Sequence, residues 1–175
     1  MNVQVTASRV VVMNVVEPDS IPEPHWLTGD ELATWQALHV MMSTLPAALT
    51  AQLQRDAELS FLEYYVLAAL SEQPDYAMRM SRLALLASSE LSRLSHLIRR
   101  LEKRGLVRRD PDPTDGRYTM AVLTADGLQT VGAAAPGHVA EVRRLVFDGL
   151  TDDERDALRS ACTKMIQRLA PDCDH

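Results

Sequence analysis

The sequence predicts a mainly α-helical fold carrying one small β-hairpin, and three observations lead there. Ser/Thr-x-x-Glu patterns stand at Thr28–Glu31, Ser60–Glu63 and Thr151–Glu154. In such a capping box the hydroxyl takes an orphan backbone N–H of the first helical turn while the glutamate reaches back to the cap. Apolar residues recur every three or four positions through Leu32, Trp35, Leu38, Met42, Leu45, Leu49 and Leu53, the period of one helix face. One segment breaks the helical pattern: Leu106–Arg109 and Tyr118–Leu123 are strand-like runs joined by the turn-forming residues 110–117, as in a hairpin with a long charged tip.

Taken in order, residues 1–26 carry Pro18, Pro22 and Pro24 without helical periodicity, so an extended or disordered arm is expected. The valine-rich stretch 10–16 makes a poor signal peptide, because one arginine precedes it and an acidic, proline-bearing stretch follows. No run approaches the ~18 apolar residues of a membrane span, and a cytoplasmic protein with no membrane partner is expected. A first helix starts at Thr28 and is expected to kink at Pro46. A second runs from Ser60 to about Ser71, before the turn Gln73-Pro74-Asp75. A short helix near 79–86 and a longer one near 89–104 follow, the latter ending at Gly105, where a helix stop needs left-handed backbone. After the hairpin, a helix from Thr124 to about 148 is expected to break at Pro136-Gly137, and a last one ends near Leu169, ahead of Pro171. Helix, helix, then hairpin is the order of a winged helix-turn-helix, placed here at 56–124.

Charge gives this segment a direction. The chain has a formal net charge of -6, yet residues 79–117 hold ten Arg/Lys against five acids, +5, leaving -11 for the rest. A contiguous basic region in an acidic chain is an electrostatic face. On a helical wheel, Leu91, Leu94, Leu97, Ile98 and Leu101 fall within roughly 60° of one direction and read as core. Opposite lie Ser89, Ser92, His96, Arg99 and Lys103, with Ser88, Arg93 and Arg100 on the flanks. Hydroxyls let a helix approach a duplex closely, and guanidinium groups pair bidentately with guanine or clamp phosphates. Arg117 at the hairpin tip suits a minor groove narrowed by A·T pairs. The plainer alternative is a solvated helix face; against it, the acids do not alternate with the bases to form pairs within the helix.

The string Ser95-His96-Leu97-Ile98-Arg99-Arg100-Leu101-Glu102-Lys103-Arg104-Gly105-Leu106-Val107, then Asp112-Pro113-x-Asp115-Gly116-Arg117, then Leu123-Thr124-x-x-Gly127 resembles the signature of the MarR family of bacterial transcription regulators. The resemblance covers roughly residues 27–170. It implies an obligate homodimer whose N- and C-terminal helices, here 27–55 and 125–170, form the dimerisation region around the winged helix-turn-helix, with the two reading helices on a pseudo-palindromic operator in double-stranded DNA. It places Ser88, Ser89, Ser92, Arg93, Ser95, His96, Arg99 and Arg100 on the DNA-reading helix, and Asp115 and Arg117 on the wing, where the aspartate holds the arginine. Many members carry arginine at the position of His96. Physics asks for the dimer too: two reading helices one DNA turn apart double the contacts, and the apolar stripes of the first helix and of the last (Leu158, Cys162, Met165, Ile166, Leu169) exceed what a small winged helix covers.

Family members often bind small aromatic effectors between the dimerisation and DNA-binding parts, and His39, Tyr64, Tyr65 and His138 are the candidates here, although aromatics at helical spacing are more often core. Cysteines stand only at 162 and 173; Cys162, on the apolar side of the last helix, reads as a small buried hydrophobe, and the first helix has none, which argues against peroxide sensing of the kind that uses one there. The five histidines are scattered, so neither a metal nor another cofactor is expected. No phosphate loop, nucleophile elbow, HExxH or dinucleotide fingerprint occurs, and no enzyme activity is expected. The sequence therefore reads as a transcription regulator, a repressor first and an activator as the alternative sign; the competing class is a winged helix used for protein contact without reading DNA.

Overall fold

The computed structural model describes residues 24–169. The expected arm lies outside the described residues up to residue 23, as do Cys173 and His175; residues 24–28 carry no regular secondary structure. The chain divides into two compact units, one ending at Ala37 and one starting at Leu38. In the first, the Thr28 N–H donates to Glu31 Oε2 at 2.8 Å and the Glu31 N–H donates to Thr28 Oγ1 at 3.3 Å, and the cap opens helix α1 (Gly29–Ala57). Pro46 sits inside α1 without ending it.

The second unit continues with α2 (Phe61–Ser71), β1 (Ala77–Arg79), α3 (Met80–Leu86), α4 (Leu91–Lys103), β2 (Val107–Pro111), β3 (Thr119–Leu123), α5 (Ala125–Val142) and α6 (Asp152–Leu169). Ser60 and Glu63 close the capping box of α2 on both sides, and Thr151 with Glu154 repeats it before α6. The strands form an antiparallel sheet in the order β1-β3-β2. Ala77 pairs with Val122 and Arg79 with Met120 on one side of β3; Val107 pairs with Leu123 and Pro111 with Thr119 on the other. Leu53, Leu59, Leu67, Leu70, Leu83, Leu94, Ile98 and Leu101 are fully buried, so the end of α1 and helices α2, α3 and α4 share one core. Burying each such side chain is worth about 1.5–3 kcal/mol.

Three local expectations are corrected. The hairpin is not alone, because β1 adds a third strand; three residues are too few for an alternating pattern, and pairing with β3 supplies what local sequence does not. The helix after the wing does not break at Pro136-Gly137 but runs to Val142 and on through a π-helical turn, 143–147. Proline removes the bond to the Gly132 carbonyl, but Pro136 and Gly132 are both exposed, where water can take that carbonyl. Gly137 faces α1, with Asp56 Oδ2 and Gln52 Nε2 each 3.4 Å from where a Cβ would stand, an ordinary contact distance. Cys162 is half-buried rather than buried, and no residue of α6 is buried. Among the described residues, no helix is long and apolar enough to cross a membrane.

Candidate nucleic-acid interface

Helix α4 is fixed at both ends by backbone geometry. The turn before it is a C-terminal cap on α3: Ser88 takes a left-handed φ of 45°, its N–H donates to the Leu85 carbonyl at 3.0 Å, and the Ser89 N–H donates to the Ala84 carbonyl at 2.9 Å. This paired arrangement satisfies carbonyls that the helix end would otherwise orphan. Ser88 and Ser89 therefore make the turn between the two helices and do not lie on α4, where they were expected and which starts at Leu91. At the other end Gly105 has the left-handed φ of 74° expected of it, and Leu106 N–H donates to the Leu101 carbonyl at 3.0 Å.

Between these stops the wheel holds for Leu94, Leu97, Ile98 and Leu101, all buried. Leu91 departs from it at 51% exposed: it is the first residue of the helix and lines the open cleft beside the wing. On the outward side Ser92, Arg93, His96, Arg99 and Lys103 are exposed. Ser95 is half-buried, its hydroxyl donating to the Leu91 carbonyl at 2.8 Å. Among the described residues, Arg93, Arg99 and Lys103 have no carboxylate within ion-pair reach. Arg100 is different: its Nη2 lies 3.2 Å from Glu63 Oε1. Burial acts to raise the Glu63 carboxyl, but hydrogen bonds from Ser60 and the charge of Arg100 outweigh it and hold it below the usual glutamate range. Arg100 thus ties α4 to the cap of α2, while Arg109 ties β2 to α4 through Glu102 at 2.7 Å.

The wing tip is built on two aspartates. Asp115 takes the Arg117 side chain in a fork, Nη2 to Oδ2 at 2.7 Å and Nε to Oδ1 at 3.0 Å. These bonds hold Asp115 below the usual carboxylate range and push the guanidinium up, while the Arg117 side chain stays 85% exposed. Asp112, with its side chain 5% exposed, accepts from the Thr114 hydroxyl at 2.6 Å, the Thr114 N–H at 2.8 Å and Arg79 Nε at 2.5 Å. Those bonds, from Thr114 first and then Arg79, hold its carboxyl far below the ordinary range. An open cleft between wing and α4 is lined by Arg79, Leu91, Ser95, Arg109, Arg117 and Tyr118. Sequence reasoning missed Arg79 and Tyr118, and it quoted Asp112 only as part of a motif.

The effector candidates divide. Tyr64 and His138 are buried with ring centroids 4.3 Å apart, and Phe61 stands 6.0 Å from His138. Burial raises the Tyr64 hydroxyl, with the Glu72 charge adding to it, and lowers the His138 imidazole. His39 and Tyr65 are exposed. His138 Nδ1 and Gln52 Oε1 are buried without a hydrogen-bond partner among the described residues. Among those residues, no group of three His, Cys, Asp or Glu side chains is placed to hold a metal ion.

Comparison with known proteins bears on the same segment. The sequence model of the MarR family matches residues 57–117. The transcriptional regulator HosA of Escherichia coli O111:H- is 36% identical over 90 residues, covering 50% of this chain and 64%, under two thirds, of HosA. Among solved structures, Sco3205 of Streptomyces coelicolor, a MarR family transcriptional regulator solved in complex with DNA, superposes with a TM-score of 0.83 at 40% identity over 86% of this chain and 94% of that one. AbsC of the same organism, also a MarR family transcriptional regulator, does so with a TM-score of 0.80 at 38% identity over 83% of this chain and 98% of its own. With the winged helix-turn-helix in place and two such relatives matched over nearly their whole length, the chain belongs to the MarR family of transcriptional regulators.

Proposed function

We propose that the chain represses transcription by binding a pseudo-palindromic operator as a homodimer, with α4 in the major groove and the wing in the flanking minor groove. The observation that carries this reading is the division of α4: a leucine side locked in the core, and an outward side on which Arg93, Arg99 and Lys103 have no carboxylate within ion-pair reach among the described residues. A polyanion supplies what they lack. Ser92, Ser95 and His96 complete the reading face, Arg117 enters the minor groove held in line by Asp115, and Arg100 orients the helix as well as contacting phosphate. Sco3205, solved with DNA, supports the docking by likeness.

The dimer is supported by apolar side chains left exposed on α1 and α6, including Met42, Leu158, Met165 and Ile166, which a second copy would cover. Control by a small aromatic effector is supported at the contact of α1, α2 and α5. There Tyr64 and His138 are in ring contact, and His138 Nδ1 and Gln52 Oε1, buried without a hydrogen-bond partner among the described residues, are polar atoms that a ligand would satisfy. The direct experiment is titration of the protein on duplex DNA from upstream of its own coding region at several salt concentrations. Affinity is expected to fall steeply as salt rises, by counterion release. Absence of duplex binding at low salt would instead favour a winged helix used for protein contact.

A further inference from the structure

The wing tip is held to the rest of the domain by a residue that precedes it by more than thirty positions. Arg79 ends β1 and is the cap residue of α3, so its backbone belongs to the helix-turn-helix. Its side chain reaches the hairpin tip: Nε donates to Asp112 Oδ2 at 2.5 Å, Nη2 donates to Thr114 Oγ1 at 3.3 Å, and the guanidinium carbon stands 4.7 Å from the centroid of the Tyr118 ring. Three separate points of the loop between β2 and β3 thus converge on one guanidinium. A buried carboxylate is costly unless paired and hydrogen-bonded, and Asp112 meets that demand through Arg79, Thr114 and the Asp115 N–H at 3.3 Å. The Asp115 so placed is the residue that forks Arg117. A chain of charge-assisted bonds therefore runs from Arg79 through Asp112 and Asp115 to the exposed guanidinium of Arg117.

We propose that Arg79 is a positioning residue that fastens the wing tip to the start of α3 and so sets where Arg117 points. For its consequence on DNA, this rests on the operator-binding reading above; the fastening itself does not. Both guanidiniums are paired, Arg79 by Asp112 and Arg117 by Asp115, but the Arg117 side chain is 85% exposed against 44% for Arg79, so Arg117 is the one the wing presents to a minor groove.

The test uses the full chain with Arg79→Ala, Arg79→Lys, Asp112→Asn and the Arg79→Ala/Asp112→Asn pair. Amide hydrogen exchange reads the fastening without DNA. In Arg79→Ala, the N–H groups of Thr114, Asp115 and Tyr118 are expected to exchange at least about tenfold faster while those of Leu97, Ile98 and Leu101 keep the native rate, and Arg79→Lys is expected to fall between. Unchanged exchange at the tip in Arg79→Ala overturns the proposal, whatever the chain does with DNA. On duplex DNA, Arg79→Ala and Asp112→Asn are each expected to weaken binding several-fold, and the double variant no more than the weaker single one, the coupling expected of residues acting as a unit. Protection is expected to be lost at the flanks of the footprint and kept at its centre, a split that general destabilisation would not produce. If Asp112→Asn binds as well as or better than the native chain while Arg79→Ala alone loses affinity and salt slope, Arg79 is a phosphate contact and the proposal is wrong. Failure of every variant and of the native chain to bind duplex would count against the operator reading, while the exchange data would still decide the fastening.

Discussion

Arg117 and Arg99 differ in what holds them, and that difference sets what each substitution does. Arg117 is gripped by Asp115 two residues away, so its direction is set before any DNA is met; Arg99 stands exposed on α4 with no ion-pair partner among the described residues. Arg117→Ala is expected to weaken operator binding, more on A·T-rich flanks, where a narrow minor groove concentrates negative potential, with the melting temperature unchanged. Equal loss on A·T- and G·C-rich flanks in a binding titration would remove the wing from the groove. Arg99→Ala is expected to lose about 1–3 kcal/mol of discrimination at one symmetric pair of positions if it reads a base. Affinities measured on a panel of single-base operator variants check this, and a uniform loss would make it a phosphate contact. The Asp115–Arg117 fork was expected from the resemblance of the wing motif to the family signature, and it is present. The Arg79–Asp112 bond was not expected, since nothing local to either residue marks a partner 33 positions away. The placement of Ser88 and Ser89 on the helix failed for the opposite reason: small polar residues before a helix fit both its first turn and the turn that precedes it, and the left-handed φ of Ser88 puts them in the latter.

Among the elements, helix ends were the most readable, because a capping box or a stop glycine is a bargain struck within a few residues. The boxes at Thr28, Ser60 and Thr151 and the left-handed Gly105 all stand where the sequence put them. Strand β1 and the unbroken α5 were not readable, because each depends on what lies beside it: β3 for the one, solvent at Gly132 and Pro136 for the other. The contact of α5 with α2 also carries a pH dependence. Burial lowers the His138 imidazole from its ordinary value of 6.5, so below that pH the unfolded chain binds a proton that the folded chain resists. The folded state binding fewer protons, stability is expected to rise with pH between the lowered folded value and about 6.5, and to be lost as pH falls through that window. Urea midpoints of the native chain and of His138→Gln between pH 7.5 and 5 measure it; the variant is expected to show the shallower slope. Identical slopes would mean that His138 is solvated in solution.

For the whole molecule, the winged helix-turn-helix was legible in outline from element order, charge and motif spacing, whereas its assembly is a matter of what remains uncovered. Ile166 is 40% exposed on a helix with no buried residue, although its apolar spacing resembles that of a core helix. Ile166→Glu is expected to convert a dimer to a monomer in sedimentation velocity without loss of helical signal in circular dichroism, because a charge in an apolar interface is left unpaired. A native chain that sediments as a monomer at micromolar concentration would remove the two-fold reading. The most direct measurement is selection of duplexes from a randomised library by the native chain, followed by sequencing of the bound fraction. Two copies of α4 on one face of DNA should enrich an inverted repeat with half-site centres about one helical turn, roughly 10 base pairs, apart, with A·T pairs at the flanks. Enrichment of no sequence, or of a single half-site without a repeat, would contradict a dimer that reads DNA through α4 and its wing.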